Sequence, residues 1–236
     1  MTDHDQLPPE HAGPGEGADP WVDTGEWLIE PQQERSRATL RRMLDAAETL
    51  MEDGTFERAT VAEIVKRADT SVGAFYARFA DKEALFHMVQ LRFLTGARKR
   101  LEALTDKTRW TDAPLADVVR AVVSEIVTWF RRWRGVMAAL ELHARMRRDP
   151  VLDERIKDFN DVGWSQVAEL LLSRRAEIGH PNPDRAARLG FAFVTASLRE
   201  LIVFGEGLMT PVSATDEELA TELATALLAY LTASRA

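Results

Sequence analysis

The sequence predicts an all-α fold of about nine helices, and three observations carry that reading. Apolar residues recur at three- and four-residue steps through most of the chain after Glu34, the spacing that lines one face of a helix. No stretch alternates apolar and polar residues as a half-buried strand does. The breaks between periodic stretches hold capping and stop residues: Gly54, Thr60, Ser71, Asp81, Pro114, Pro150 and the run Pro181-Asn182-Pro183-Asp184.

In chain order, Leu40, Met43, Leu44, Ala47, Leu50 and Met51 line a first helix that stops at Gly54. Thr60, with Glu63 three residues later, makes a capping box for a short second helix lined by Val61, Ile64, Val65 and Ala68. Asp69-Thr70 breaks the pattern. Ser71 then caps a third short helix whose Phe75 and Phe79 share one face. Asp81 caps a longer fourth helix with Leu85, Phe86, Val89, Phe93, Leu101 and Leu104. Pro114 opens a fifth (Val118, Val122, Ile126, Trp129, Trp133), which Gly135 separates from a sixth around Met137 and Leu140. Pro150 starts a seventh, with Leu152, Ile156, Phe159, Val167 and Leu170, ending near Gly179. The eighth follows Asp184 and runs through Leu189, Phe193, Leu198, Leu201 and Ile202. Thr215 or Asp216 starts the ninth, whose stripe is Leu219, Leu223, Leu227, Tyr230 and Leu231.

The 236 residues are 45% hydrophobic and 29% charged, a balance that supports a large core and excludes disorder throughout. The chain has no cysteine, so disulfide scaffolds, thiolate nucleophiles and Cys-based zinc sites are excluded. No apolar run approaches the ~18 residues of a membrane span, which leads us to expect no membrane partner and a cytoplasmic location. The five histidines lack metal-ligand spacing, and no Ser elbow, phosphate loop or dinucleotide fingerprint is present. Neither an enzyme nor a metal or cofactor is expected.

The net charge of −8 conceals a division along the chain. Residues 1–32 hold eight acids and no Lys or Arg, whereas residues 33–100 hold 13 basic and 10 acidic side chains. A local basic excess is what attraction to a phosphate backbone requires. The Pro and Gly content of 1–32 predicts a mostly disordered acidic tail, in which Trp21, Trp27, Leu28 and Ile29 form an apolar patch. Its acids are candidates to compete with DNA for the basic surface.

Two short helices joined by a tight turn in this basic segment form a helix-turn-helix candidate, a pattern that also fits an interaction module that does not touch DNA. Residues 60–85 sharpen it. Thr60-Val61, Ile64, Ala68, Ser71, Gly73, Phe75-Tyr76, Phe79, Lys82 and Leu85 resemble the N-terminal domain of the tetracycline-repressor (TetR) family, over roughly Arg35 to Met88. The chain departs from the family at Asp69-Thr70, where Gly-Val is usual; Asp tolerates a left-handed turn better than most residues.

Ser71, Val72 and Gly73 stand at the end of the third helix that enters the major groove. Gly73 and Ala74 add little bulk, so the backbone approaches closely and Val72 reaches a thymine methyl. Tyr76 faces off the core stripe, and the resemblance implies that it contacts a phosphate. Thr60, Arg78 and Lys82 are expected to position the backbone without reading sequence. Arg35, Arg37, Arg41 and Arg42 fit either flanking phosphates or a solvated helix face.

The resemblance further implies a helix-turn-helix domain over 33–81 and a ligand-binding and dimerisation domain over 82–236, with 82–104 as the connecting helix. It implies a homodimer on a palindromic operator in double-stranded DNA, and a repressor released by a small apolar effector. Trp129, Trp133, Met137, His143, Phe159, Trp164 and Phe193 are the candidate ligand residues, a composition that favours a lipophilic or aromatic molecule. Phe191, Leu198, Ile202, Leu223, Leu227 and Tyr230 are the candidate dimer face, packed as a four-helix bundle.

Overall fold

The computed structural model describes residues 34–147, 149–205 and 214–233; the tail expected over 1–32 lies outside them. The described residues form nine α-helices and no strand: α1 Glu34–Glu52, α2 Val61–Arg67, α3 Val72–Tyr76, α4 Lys82–Thr105, α5 Leu115–Arg132, α6 Arg134–Arg147, α7 Pro150–Leu172, α8 Pro183–Leu198 and α9 Asp216–Thr232. Short 3-10 turns occupy Phe56–Arg58, Lys107–Trp110 and Arg175–Glu177, and a π-helical segment, Arg199–Phe204, continues α8.

The helices start where side chains satisfy their free amides. Thr60 and Thr215 close capping boxes: each hydroxyl accepts from the amide of the glutamate three residues on, at 3.2 Å, and each threonine amide donates back to that carboxylate, at 2.7 and 2.8 Å. Bonds from the threonine backbone and side chain hold the Glu63 and Glu218 carboxyls below the usual range. Ser71, Asp81 and Asn182 cap α3, α4 and α8 by accepting from the amides of Ala74, Ala84 and Arg185. Pro114 brings no capping side chain, so α5 takes its cap from elsewhere: the Leu115 amide donates to Glu177 at 2.9 Å. Arg174 donates to the carbonyls of Ala113 and Trp110 beside it. This recruitment turns the chain back toward α5, and α7 ends at Leu172 rather than near Gly179.

Two further boundaries differ from expectation. Gly135 lies inside the first turn of α6, and Trp133 makes the break after α5. The glycine serves a close approach: a Cβ there would sit 2.4 Å from the Glu52 Cα, and the Gly135 amide donates to the Glu52 carboxylate at 3.1 Å. The eighth helix stops being α-helical at Leu198, and Leu201 and Ile202 belong to the π-helical segment.

The core has two parts. One gathers the apolar faces of α1, α2, α3 and the first half of α4, closed by Trp133, Val136, Leu140 and Leu152. The other joins α5, α7, α8 and α9 around Val118, Val122, Leu171, Leu198 and Leu227. Phe75 and Phe79 are fully buried with rings 5.3 Å apart, and they pin α3 to the first part. Each such ring contributes enough that truncation to alanine costs about 3–5 kcal/mol. No described helix is long and apolar enough to cross a membrane.

Candidate nucleic-acid interface and ligand cavity

The turn between α2 and α3 is built around Asp69, whose φ is 47°. The Thr70 amide donates back to Val65 and the Asp69 amide to Lys66, the paired bonds that end a helix with one left-handed residue. Arg42 of α1 ties the turn down from outside, donating to the Ala68 and Asp69 carbonyls at 3.0 and 3.4 Å. With α2 and α3 locked, α3 offers Ser71, Val72, Gly73 and Tyr76 to solvent. Val72 is 44% and Tyr76 55% exposed, unusual for large side chains beside a buried Phe75, and Ala74 is half-buried. A Cβ on Gly73 would meet only the Ser71 hydroxyl, at 3.9 Å.

Three other expected contacts are occupied within the chain. The Thr60 amide and hydroxyl both donate to Glu63, so Thr60 is a helix cap first. Arg78 donates to the Ala74 carbonyl at 2.7 Å and to the Ser36 hydroxyl at 2.7 Å, tying the end of α3 to the start of α1. The Lys82 ammonium donates to the carbonyls of Phe56, Glu57 and Ala59 at 3.1, 2.6 and 3.3 Å, and stands 5.2 Å from the centre of the Phe56 ring. An ammonium has three protons, and all three are given to the 3-10 turn ahead of α2.

Between α4, α5, α6, α7 and α8 lies a cavity of about 600 Å³, within the usual range of small-molecule sites. Of the candidate ligand residues, Trp129, Met137, Phe159 and Trp164 line it, together with Phe93 and Phe191. Polar groups on its walls are mostly paired: Arg100 with Glu125 at 2.8 Å and Arg145 with Glu141 at 2.8 Å.

Two family models match this chain. "Bacterial regulatory proteins, tetR family" matches residues 43–89, and "Tetracyclin repressor-like, C-terminal domain" matches residues 114–231, half of the chain. The chain belongs to the TetR family. It is a helix-turn-helix, DNA-binding transcriptional regulator of that family. Among curated relatives, the nucleoid occlusion factor SlmA of Actinobacillus pleuropneumoniae is 30% identical over 146 residues, 59% of this chain and 67% of that protein. The A-factor receptor protein of Streptomyces griseus is 43% identical over 54 residues, 23% of this chain and 20% of the receptor. A TetR-family regulator from Mesorhizobium loti shares the fold, with a TM-score of 0.64 and 19% identity over 84% of this chain and 98% of its own.

In this TetR-family regulator the remaining ligand candidates sit off the cavity. Trp133 is buried between Phe93 and Trp129, with ring centres 5.6 and 5.4 Å away. Phe193 points outward, 53% exposed, with its ring 5.7 Å from Tyr230. His143 is buried on the neighbouring face of α6, stacked on Phe86 at 4.3 Å, with Nε2 3.0 Å from Glu83. The same Glu83 carboxylate pairs with Arg147 at 3.2 Å, and buried His87 lies 3.2 Å from Asp149. This polar knot fastens the first turns of α4 to α6, one residue beyond the Lys82 lock.

The dimer candidates divide in the same way. Phe191, Leu198, Ile202 and Leu227 are buried within the chain's own core, because α9 packs against α5 as well as α8. Leu223 and Tyr230 are half-buried, and with exposed Phe193 and half-buried Leu189 they form the apolar part of the α8–α9 surface. Periodicity finds the apolar stripe of a helix; which half of a wide stripe faces inward depends on neighbours far away in sequence.

Proposed function

We propose that this regulator is a homodimeric repressor that reads a palindromic operator with α3 and is released when a small lipophilic or aromatic molecule fills the cavity. Gly73 carries the reading. A glycine in a helix costs about 1 kcal/mol relative to alanine, and no group of this chain crowds the position. Its value lies in the approach of something from outside, beside Val72 and Tyr76. Residues 34–81 are then the DNA-binding unit, and residues from 82 onward bind the effector and pair the two copies through the α8–α9 surface. Two such units match half-sites roughly 34–36 Å apart. The shape and lining of the cavity support an apolar effector, and α4, which runs from the Lys82 lock to Leu104 on the cavity wall, is the element placed to pass its signal. Regulation by binding rather than catalysis, in the cytoplasm, is part of the same reading.

Selection from a random duplex pool with the full-length protein is expected to enrich a two-fold palindrome. On that duplex Gly73→Ala is expected to melt no lower than the parent and to bind at least about tenfold more weakly, as one lost base contact does. A pool with no enriched sequence would transfer the reading to a helical interaction module. Unchanged operator affinity in Gly73→Ala would remove Gly73 from the contact.

A further inference from the structure

We propose that the effector of the cavity is a lipophilic monocarboxylic acid, its carboxylate held by Arg145 and Arg199 where α6 meets the π-helical segment; this rests on the effector-binding reading above and gives the effector its chemical class.

The charges on the cavity walls are unevenly spread. Arg100, Arg145 and Arg199 face Glu125, Glu141 and Asp153, a sum of zero. Arg100 and Glu125 satisfy each other at 2.8 Å between α4 and α5, with the guanidinium 6.0 Å from the centre of the Trp129 ring. Glu141 of α6, by contrast, meets two arginines. Arg145 donates to its Oε1 from Nε and Nη2 at 3.2 and 2.8 Å, and Arg199 approaches the same oxygen at 3.8 Å. Two guanidiniums against one carboxylate leave one positive charge at this corner. Asp153, exposed on α7, is the balancing acid and has no arginine within 4 Å among the described residues.

Arg199 is the group with bonds left to give. A guanidinium carries five N–H donors in a planar fork, and 3.8 Å to Glu141 is too long for a hydrogen bond. It opens the π-helical segment and continues the cavity wall formed by Ala192, Thr195 and Ala196. The Thr195 hydroxyl donates to carbonyls of its own helix, so the arginines supply the donors at this end. A carboxylate matches the guanidinium fork with two parallel bonds. The Arg145–Glu141 pair is exposed and only one turn apart, hence weak enough to be exchanged for an incoming acid. One surplus charge suits a monoanion; a phosphomonoester, at about −2, overfills it. The hydrocarbon part has the apolar walls around Phe93, Trp129, Trp164 and Phe191. A head seated on α6 acts on the helix whose His143 and Arg147 hold Glu83 in the first turn of α4.

The test uses the full-length protein and N-phenylnaphthylamine, a neutral dye that fluoresces in apolar cavities. The dye is displaced at neutral pH by dodecanoate, dodecanol, dodecyl phosphate or dodecyltrimethylammonium, each below its micelle concentration. Dodecanoate is expected to displace it at about tenfold lower concentration than dodecanol, as a charge-assisted pair of hydrogen bonds allows, and at lower concentration than the other two. Arg199→Gln is expected to bring acid and alcohol close to parity. Glu141→Gln is expected to widen the preference for the acid, because the internal competitor is gone; side chains that only brace α6 would leave the preference where it was. Equal displacement by acid and alcohol in the parent, or an unchanged preference in Arg199→Gln, overturns the proposal while leaving an apolar effector site. Stronger displacement by the ammonium compound overturns it in favour of cations drawn by Asp153, and stronger displacement by the phosphate in favour of dianions. If the dye does not brighten with the parent protein, the effector-binding reading itself falls and takes this one with it.

Discussion

Asp69 holds a left-handed conformation, φ 47°, that L-residues adopt at a cost of about 1–2 kcal/mol and glycine adopts freely. Asp69→Gly is therefore expected to stabilise the protein by about 1 kcal/mol, a rise of about 2–4 °C in melting temperature for a chain of this size. Loss of its charge beside the recognition helix should also tighten DNA binding. Glu48 makes a second test. Burial between α1 and α4 pushes its carboxyl up to about 7, and the Arg92 guanidinium 3.3 Å away, shared with Asp45, offsets only part of that. Arg132 works in the same direction as Arg92, while Asp45 and Glu52 add to the rise. The folded carboxyl thus keeps its proton where the unfolded one loses it. The stability it contributes is complete below pH 4.5 and is lost as pH rises through about 7, on the order of 3 kcal/mol. Glu48→Gln should raise the melting temperature at pH 8, leave it unchanged near pH 4.5, and flatten the curve between; a parallel shift at both pH values would refute the assignment. Asp69 was legible in the sequence, because a turn between two short helices demands a residue that tolerates positive φ. Glu48 was not, since nothing local to an i, i+4 pattern tells a buried carboxylate from a solvated one.

The lock formed by Lys82 operates between elements. Its ammonium joins the start of α4 to the carbonyls of Phe56, Glu57 and Ala59, and so fixes where α2 begins. Lys82→Met keeps the stem over the Phe56 ring but takes a donor from three carbonyls, of which that of Phe56 keeps the Ala59 amide, a loss of about 1–3 kcal/mol by thermal or denaturant unfolding. If the variant instead melted like the parent while losing DNA affinity, a direct phosphate contact would be its role. Just beyond, Glu83 binds His143 and Arg147 of α6, whose Glu141, Ala144 and Arg145 line the cavity. Helix starts were readable from sequence wherever the cap is local, as at Thr60, Ser71, Asp81 and Thr215. The end of α7 was not, because it depends on Glu177 reaching the Leu115 amide 62 residues away. Gly135 misled for a related reason: the glycine answers to Glu52, on another helix.

At the scale of the molecule, the two core clusters are joined through α4 and α6, and the α8–α9 surface faces outward. Phe193→Asp is expected to shift the protein to a monomer by sedimentation at micromolar concentration with no loss of melting cooperativity, because that ring is already half in water. Leu227→Asp, by contrast, places a charge in the chain's own core and should unfold it. If Phe193→Asp remained dimeric, another surface would be the one that pairs. Of the cavity, the aromatic excess on α5 and α7 was legible; its walls from α4 and α8 were not, since Phe93 read as ordinary core and Phe191 as dimer face until five helices are brought together. The Lys82 lock also has a use at the bench. The chain has five lysines, and Lys66, Lys99, Lys107 and Lys157 are exposed. Acylation of Lys82 would have to break its bonds to the Phe56, Glu57 and Ala59 carbonyls and pull the amine off the turn ahead of α2, so Lys82 should label more slowly than the four exposed lysines, at a rate that follows opening of the N-terminal helices. Mass spectrometry of that single site, in the presence and absence of DNA, would time the opening of the reading head without a tag or a mutation.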